Sequence, residues 1–235
     1  MAALLYNIVT GALIVIMINA AKTMVDLTTL RSRRIPWVAI TLTVLVIIGL
    51  VLQTTWSGAT DALDSNPAHH GWWRPLTSVF IQSPGLMGRL WNLVTIAIIG
   101  AFAEWFWGSR LTAAVFLAGA LLPHYIGVLL LGSHNEASTN PRNFCGSSGA
   151  TYFLGAALTG ALLLAATSTP QRLLALAVPA LGLLTWFLQD NAHGLVSAEG
   201  WVLGLLIFAA LRPRWTFNRD LVHAPRTPIG ALLPR

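Results

Sequence analysis

Seven stretches of this chain are each long and apolar enough to cross a lipid bilayer, and they leave room for little else. They cover residues 4–21, 36–54, 89–107, 112–131, 148–167, 171–188 and 197–211. A helix needs about 20 mostly apolar residues to span the hydrocarbon core. The runs are continuous rather than alternating, which selects helices over a barrel. Composition agrees: 55% of the 235 residues are hydrophobic and only 9% are charged, whereas a water-soluble domain carries about a quarter charged residues. The expected fold is therefore an all-α, polytopic transmembrane helical bundle with lipid as its solvent. Residues 4–21 have no basic residue ahead of their apolar core and are followed by Lys22. This predicts a retained span rather than a signal peptide.

The net charge of +6 points to membrane sidedness rather than to nucleic acid, because basic residues gather in cytoplasmic loops. Seven spans place Lys22, Arg31, Arg33, Arg34, Arg110, Arg172, Arg212, Arg214, Arg219, Arg226 and Arg235 on one side. Arg74, Arg89 and Arg142 fall on the other. That split predicts an outer N-terminus and a cytoplasmic C-terminus. Three stretches follow: a first span and its basic cytoplasmic loop over 1–35, the remaining spans over 36–211, and a basic, Pro-rich cytoplasmic tail over 212–235. Cys145 is the only cysteine, so it forms no intrachain disulfide and is expected to be a small packing residue. In the outer loop 55–88, Trp56, Trp72 and Trp73 suit the headgroup region. His69 and His70 have no acidic or cysteine partners at ligand spacing, so a metal is not expected there.

Polar groups inside a span are expensive and usually face a protein interior. Asn92, Glu104, His124, Ser148, Ser197 and Glu199 stand out. Ser148 lies in Gly146-Ser147-Ser148-Gly149-Ala150, immediately before an apolar helix. One reading is a helix cap among small packing residues. Another is a nucleophile whose flanking amides, pointing out of the helix start, hold an oxyanion. Asp190-Asn191-Ala192-His193-Gly194 stands at the start of the last span. Positions 193, 197, 200 and 204 share one helical side, with Gly200 and Gly204 as a small-residue face. His193 is either a general base or an interfacial loop histidine. Asp190 is expected to be a solvated loop charge.

Together these segments resemble the rhomboid family of intramembrane serine proteases, over roughly residues 36–211. Gly146-Ser147-Ser148-Gly149-Ala150, with Gly155 following, is similar to the family's serine motif. Trp73-Arg74 and the following Leu76-Thr77-Ser78-Val79-Phe80 resemble its first outer loop. The run from Gly100 through Glu104 to Gly108 matches its glycine–glutamate–glycine spacing. Asn92 stands at the place of an oxyanion-side asparagine. The resemblance implies a six-helix core with one added N-terminal helix.

It further implies a serine–histidine dyad of Ser148 and His193, with Asn92 and the Ser148 and Gly149 amides around the oxyanion. Cofactors and metal are not required, and the partners are transmembrane protein substrates within the bilayer. Glu104, far from Ser148 along the bilayer normal, is expected to brace helices or a loop rather than to perform acid–base chemistry. Two departures stand out. Gly88 replaces the family's oxyanion-side histidine. Alignment on the glycine pair puts Ser197 at the family's catalytic histidine, with His193 one turn earlier; alignment on Asn191-Ala192-His193 instead needs a small insertion after the histidine. Both alignments stay open on sequence. The alternative function is an inactive rhomboid-like protein that binds transmembrane helices; small-solute transport is weaker, because charged pairs at mid-membrane depth are missing. The expected location is a bacterial inner membrane.

Overall fold

The structure, a computed structural model, describes residues 2–66, 68–83, 85–131 and 144–211. The basic tail and Arg142 lie outside the described residues. The helices are α1 (Ala2–Met24), α2 (Trp37–Thr55), the short α3 (Ala59–Leu63) and α4 (Arg74–Thr77), then α5 (Leu86–Trp107), α6 (Ser109–Leu131), α7 (Ser148–Ala165), α8 (Thr169–Gln189) and α9 (Ala192–Leu211). A 3-10 turn over Leu27–Ser32 joins α1 to α2.

Six helices among the described residues, α1, α2, α5, α7, α8 and α9, are long and apolar enough to cross a membrane. The remaining expected span, 112–131, is helical within α6, whose 23 residues run the height of the bundle. It leaves the Gly108 turn at the end of α5, and its His124 and Tyr125 reach a cavity lined by Ser65, His69 and Arg74 at the opposite end. Ile47, Ile48, Val51, Leu183, Leu184, Val202 and Leu206 are all exposed. An exposed apolar coat of this kind, on helices of spanning length, suits a lipid surround. The chain is a polytopic helical membrane protein.

One helix is unlike the rest. About 72% of the apolar window of α7 is buried, against 22–33% for the other five spans. It runs through the middle, packed against α1, α5, α6, α8 and α9. Small residues permit this, since lipid offers no hydrophobic drive between helices and close backbone approach must supply the contact. At the α7–α9 crossing, a Cβ on Gly200 would overlap the Phe153 backbone, and one on Gly204 would overlap the Ala157 backbone. From the other side, a Cβ on Gly160 would overlap the Trp201 carbonyl. The two helices run parallel, with Phe153 beside Gly200 and Ala157 beside Gly204, an offset of 47 residues at both contacts.

The helix set apart on sequence as 1–35 is built into the same core. Leu13, Ile14, Met17, Ala20 and Ala21 of α1 are buried in a cluster with Phe153, Ala157 and Val178. The Met17 sulfur occupies the hollow left by Gly155. α1 lies against α5, α7 and α8.

At the end remote from Ser148, Glu104 braces two helices, as expected. Its Oε2 accepts from the Val38 and Ala39 amides at 2.8 and 3.1 Å, and its Oε1 accepts from Ser109 Oγ. The carboxylate thereby satisfies orphan donors at the start of α2, where Pro36 supplies no side-chain cap. Nearby, Trp105 Nε1 donates to the Arg34 carbonyl, and the Arg33 guanidinium lies over the Trp105 ring.

Because the glycine contacts set the crossing, Gly204→Val is expected to lower stability by about 1–3 kcal/mol or more. Gly11→Ala, where a Cβ meets nothing within 4 Å, should be neutral or stabilising. Thermal unfolding in detergent distinguishes the two.

Candidate active site

The outer loop ties down the approach to α7. Arg74 Nη1 donates to the carbonyls of Asp61 and Asp64 and to Asp64 Oδ1, and its Nε donates to the His70 carbonyl. His69 Nδ1 also contacts Asp64 Oδ1, at 3.2 Å. The loop so held reaches the serine segment through two backbone bonds: Ser65 N–H to the Phe144 carbonyl and Gly146 N–H to the Ser78 carbonyl. Cys145 is half-buried beside Ser83. Burial pushes its thiol up, partly offset by the Ser83 hydroxyl, so it is a poor nucleophile at neutral pH.

Gly146 takes φ +131, a conformation that L side chains rarely adopt. The chain then turns into α7, whose first residue is Ser148, with Ser147 as N-cap. First-turn amides of a helix have no intrahelical acceptor, so those of Ser148 and Gly149 are donors at the mouth of the central helix. Ser148 and Gly149 are themselves half-buried.

His193 lies opposite. α8 closes at Asp190, which is exposed and left-handed at φ 48, and α9 begins two residues later at Ala192. The 47-residue offset places position 195 level with Ser148, so positions 193 and 197 are displaced equally, by about 3 Å of helical rise. The imidazole spans that gap: His193 Nε2 stands 2.9 Å from Ser148 Oγ. Ser197 is fully buried and donates to the His193 carbonyl at 2.6 Å within its own helix. Of the two positions that the alignments left open, 193 is the one in contact with the serine.

The imidazole is held on three sides. The Tyr152 ring packs edge-on at 4.8 Å between centroids. Asn191 Oδ1 contacts both the His193 amide and Nδ1, each at 3.1 Å. The Tyr6 hydroxyl lies 3.5 Å from Nδ1. Asp190 points to solvent rather than to the ring, as expected of a loop charge.

Asn92 faces the same space from α5. A Cβ on Gly146 would lie 3.5 Å from Ser148 Oγ, 3.6 Å from Asn92 Nδ2 and 3.8 Å from Gln82 Oε1. These three groups therefore surround the hollow that the glycine leaves open. Asn92 Nδ2 donates to Gln82 Oε1 at 2.7 Å, which leaves its second hydrogen for another acceptor. Gln82 is positioned from α2: Gln53 accepts from the Gln82 amide and donates to its carbonyl. Its own Nε2 is buried without a hydrogen-bond partner among the described residues. Gly88 is exposed, with open space around it.

Ser148, His193, Asn92 and Gly149 thus gather at one end of the bundle. Chemically, the arrangement offers a hydroxyl in contact with a base, beside amide donors suited to a developing negative charge. Sequence reasoning passed over Gln82, Tyr152, Tyr6 and Thr10. The signal for the last two was present, since Tyr6, Asn7 and Thr10 put polar groups at helical spacing in an otherwise apolar span. No protein-family model matches the chain, and no curated protein matches it.

Gly146→Ala should destabilise the chain by about 1–3 kcal/mol through its positive φ. Gly149→Ala, where a Cβ meets nothing within 4 Å, should not. Unfolding of the two variants in one detergent tests the difference.

Proposed function

We propose that this chain is a rhomboid-like intramembrane serine protease that cleaves transmembrane protein substrates through Ser148 and His193. The observation that carries this reading is the 2.9 Å contact between His193 Nε2 and Ser148 Oγ, made at the head of the most buried span. A base within hydrogen-bond reach of a hydroxyl is the arrangement that activates serine. The serine motif, the Trp73-Arg74 loop and the Glu104 run resemble the same family in their order along the chain.

In this mechanism His193 Nε2 takes the Ser148 proton as Oγ bonds to a substrate carbonyl carbon. The carbonyl oxygen becomes an oxyanion, held by the Ser148 and Gly149 amides and by Asn92. Gln82 Nε2, buried and without a partner among the described residues, is a further donor on the amide that positions Asn92. The peptide C–N bond then breaks as His193 returns the proton to the leaving nitrogen. Water resolves the ester by the same steps.

A second reading, an inactive protein that binds transmembrane helices, is favoured by one observation. Gly88 leaves open space where the family places a histidine. A fluorophosphonate probe separates the two. The expected result is labelling of the wild type, none for Ser148→Ala, a loss of about 10³-fold or more for His193→Ala, and of about 10²-fold for Asn92→Ala. An unlabelled wild type that still captures helices would favour the binder.

We infer that the site end faces outward and the C-terminus lies in the cytoplasm of a bacterial inner membrane. Arg33 and Arg34 gather at the Glu104 end, and basic residues favour the cytoplasmic side. An alkaline phosphatase fusion after Leu211 should be silent, and a fusion in the loop 56–73 should be active. The reverse pattern would invert the orientation.

A further inference from the structure

We propose that Thr10, on the first helix, is a positioning residue for His193 and acts on it through Asn191. The inference rests on the reading of Ser148 and His193 as the reacting pair. It makes the N-terminal helix part of the site rather than an appendage to it.

The argument starts from one amide. Asn191 is 1% exposed, and its Oδ1 lies 3.1 Å from both the His193 amide nitrogen and His193 Nδ1. A backbone N–H can only donate, so the atom facing it is the carbonyl oxygen of Asn191. The same oxygen faces Nδ1, which must then carry the imidazole proton. Nε2 is left with its lone pair directed at the Ser148 hydroxyl, 2.9 Å away. This is the tautomer that a general base requires.

The amide keeps that orientation because its other end is committed. Asn191 Nδ2 donates to Thr10 Oγ1 at 2.8 Å. The Thr10 hydroxyl spends its own proton on the Tyr6 carbonyl, at 2.7 Å, so its oxygen accepts. Turning the Asn191 amide over would set its NH2 against the His193 N–H and its carbonyl against the Thr10 oxygen, losing both bonds at once. Thr10 is in turn located by α7, where Tyr152 Oη donates to the Thr10 carbonyl at 2.7 Å. The same Tyr152 ring packs on the imidazole. The Tyr6 hydroxyl, 3.5 Å from Nδ1, lies on the same helix as Thr10. α1, α7 and the link between α8 and α9 therefore converge on one imidazole.

An amide suits the place better than a carboxylate. A buried, unpaired charge at the edge of a membrane is costly, whereas a neutral carbonyl can hold the Nδ1 proton without that penalty. The only nearby carboxylate on this link, Asp190, is turned outward. The chain Ser148–His193–Asn191–Thr10 is thus a neutral relay of orientation.

The test uses the full chain in detergent with three variants, Thr10→Val, Thr10→Ser and Thr10→Ala. Thr10→Val keeps the shape and removes the acceptor. Its fluorophosphonate labelling rate is expected to fall roughly ten-fold, the order of one orienting hydrogen bond. Thr10→Ser is expected to restore it, and Thr10→Ala to behave like Thr10→Val. The second readout is the imidazole nitrogen spectrum of ¹⁵N-histidine protein, with the His193 signals assigned by their loss in His193→Gln. The expected result is a protonated Nδ1 and bare Nε2 in the wild type and in Thr10→Ser, and a mixture of tautomers in Thr10→Val. Wild-type rates and spectra in both Thr10→Val and Thr10→Ala would overturn the proposal. If the wild type fails to label, the protease reading fails instead, and the nitrogen spectra still decide whether Thr10 sets the tautomer.

Discussion

The backbone-to-backbone contact between α7 and α9 is the constraint on which the rest depends. Where Gly200 and Gly204 meet Phe153 and Ala157, no side chain intervenes, so the two helices have almost no freedom to slide. That rigidity converts a one-dimensional spacing into a three-dimensional one. It places the mouth of the central helix within an imidazole's length of the start of the last. A Cβ at either glycine would overlap the facing backbone, so longer side chains there would push the two helices apart.

A precise register would still be wasted if the ends of the bundle were loose. Each end is held by polar groups rather than by packing alone. At one end the Glu104 carboxylate serves the first amides of α2. At the other, Arg74 gathers three oxygens of its own loop, and that loop reaches the residues ahead of Ser148 through Gly146. The order is hierarchical. The loop holds Gly146, the glycine opens the hollow, and Asn92 and Ser148 face each other across it.

Much of this was legible in the sequence because lipid is an unforgiving solvent. A span must be apolar and unbroken, so the helices appear as runs, and the few polar residues inside them are conspicuous. The shared face of 193, 197, 200 and 204 followed from helical period alone. The choice between His193 and Ser197 did not. It depended on where α9 begins, which is decided by the left-handed Asp190 that ends α8 and by the two-residue link behind it. Gln82 and Thr10 were harder still. Each matters through a partner far away in sequence, and no local pattern announces which amide a given threonine or glutamine will meet. The polar side of α1 was visible, but its significance lay entirely in what it faced.

The bond between Thr10 and Asn191 joins residues 181 positions apart. During synthesis α1 is made well before α9, so the Thr10 oxygen waits for Asn191 while the helices between them are threaded in. Non-local closure of this kind comes late in assembly. A half-made chain holds Ser148, Thr10 and Tyr152 but neither the His193 imidazole nor the Asn191 amide. The contact between Ser148 and His193 is thereby made only once α9 has joined the bundle.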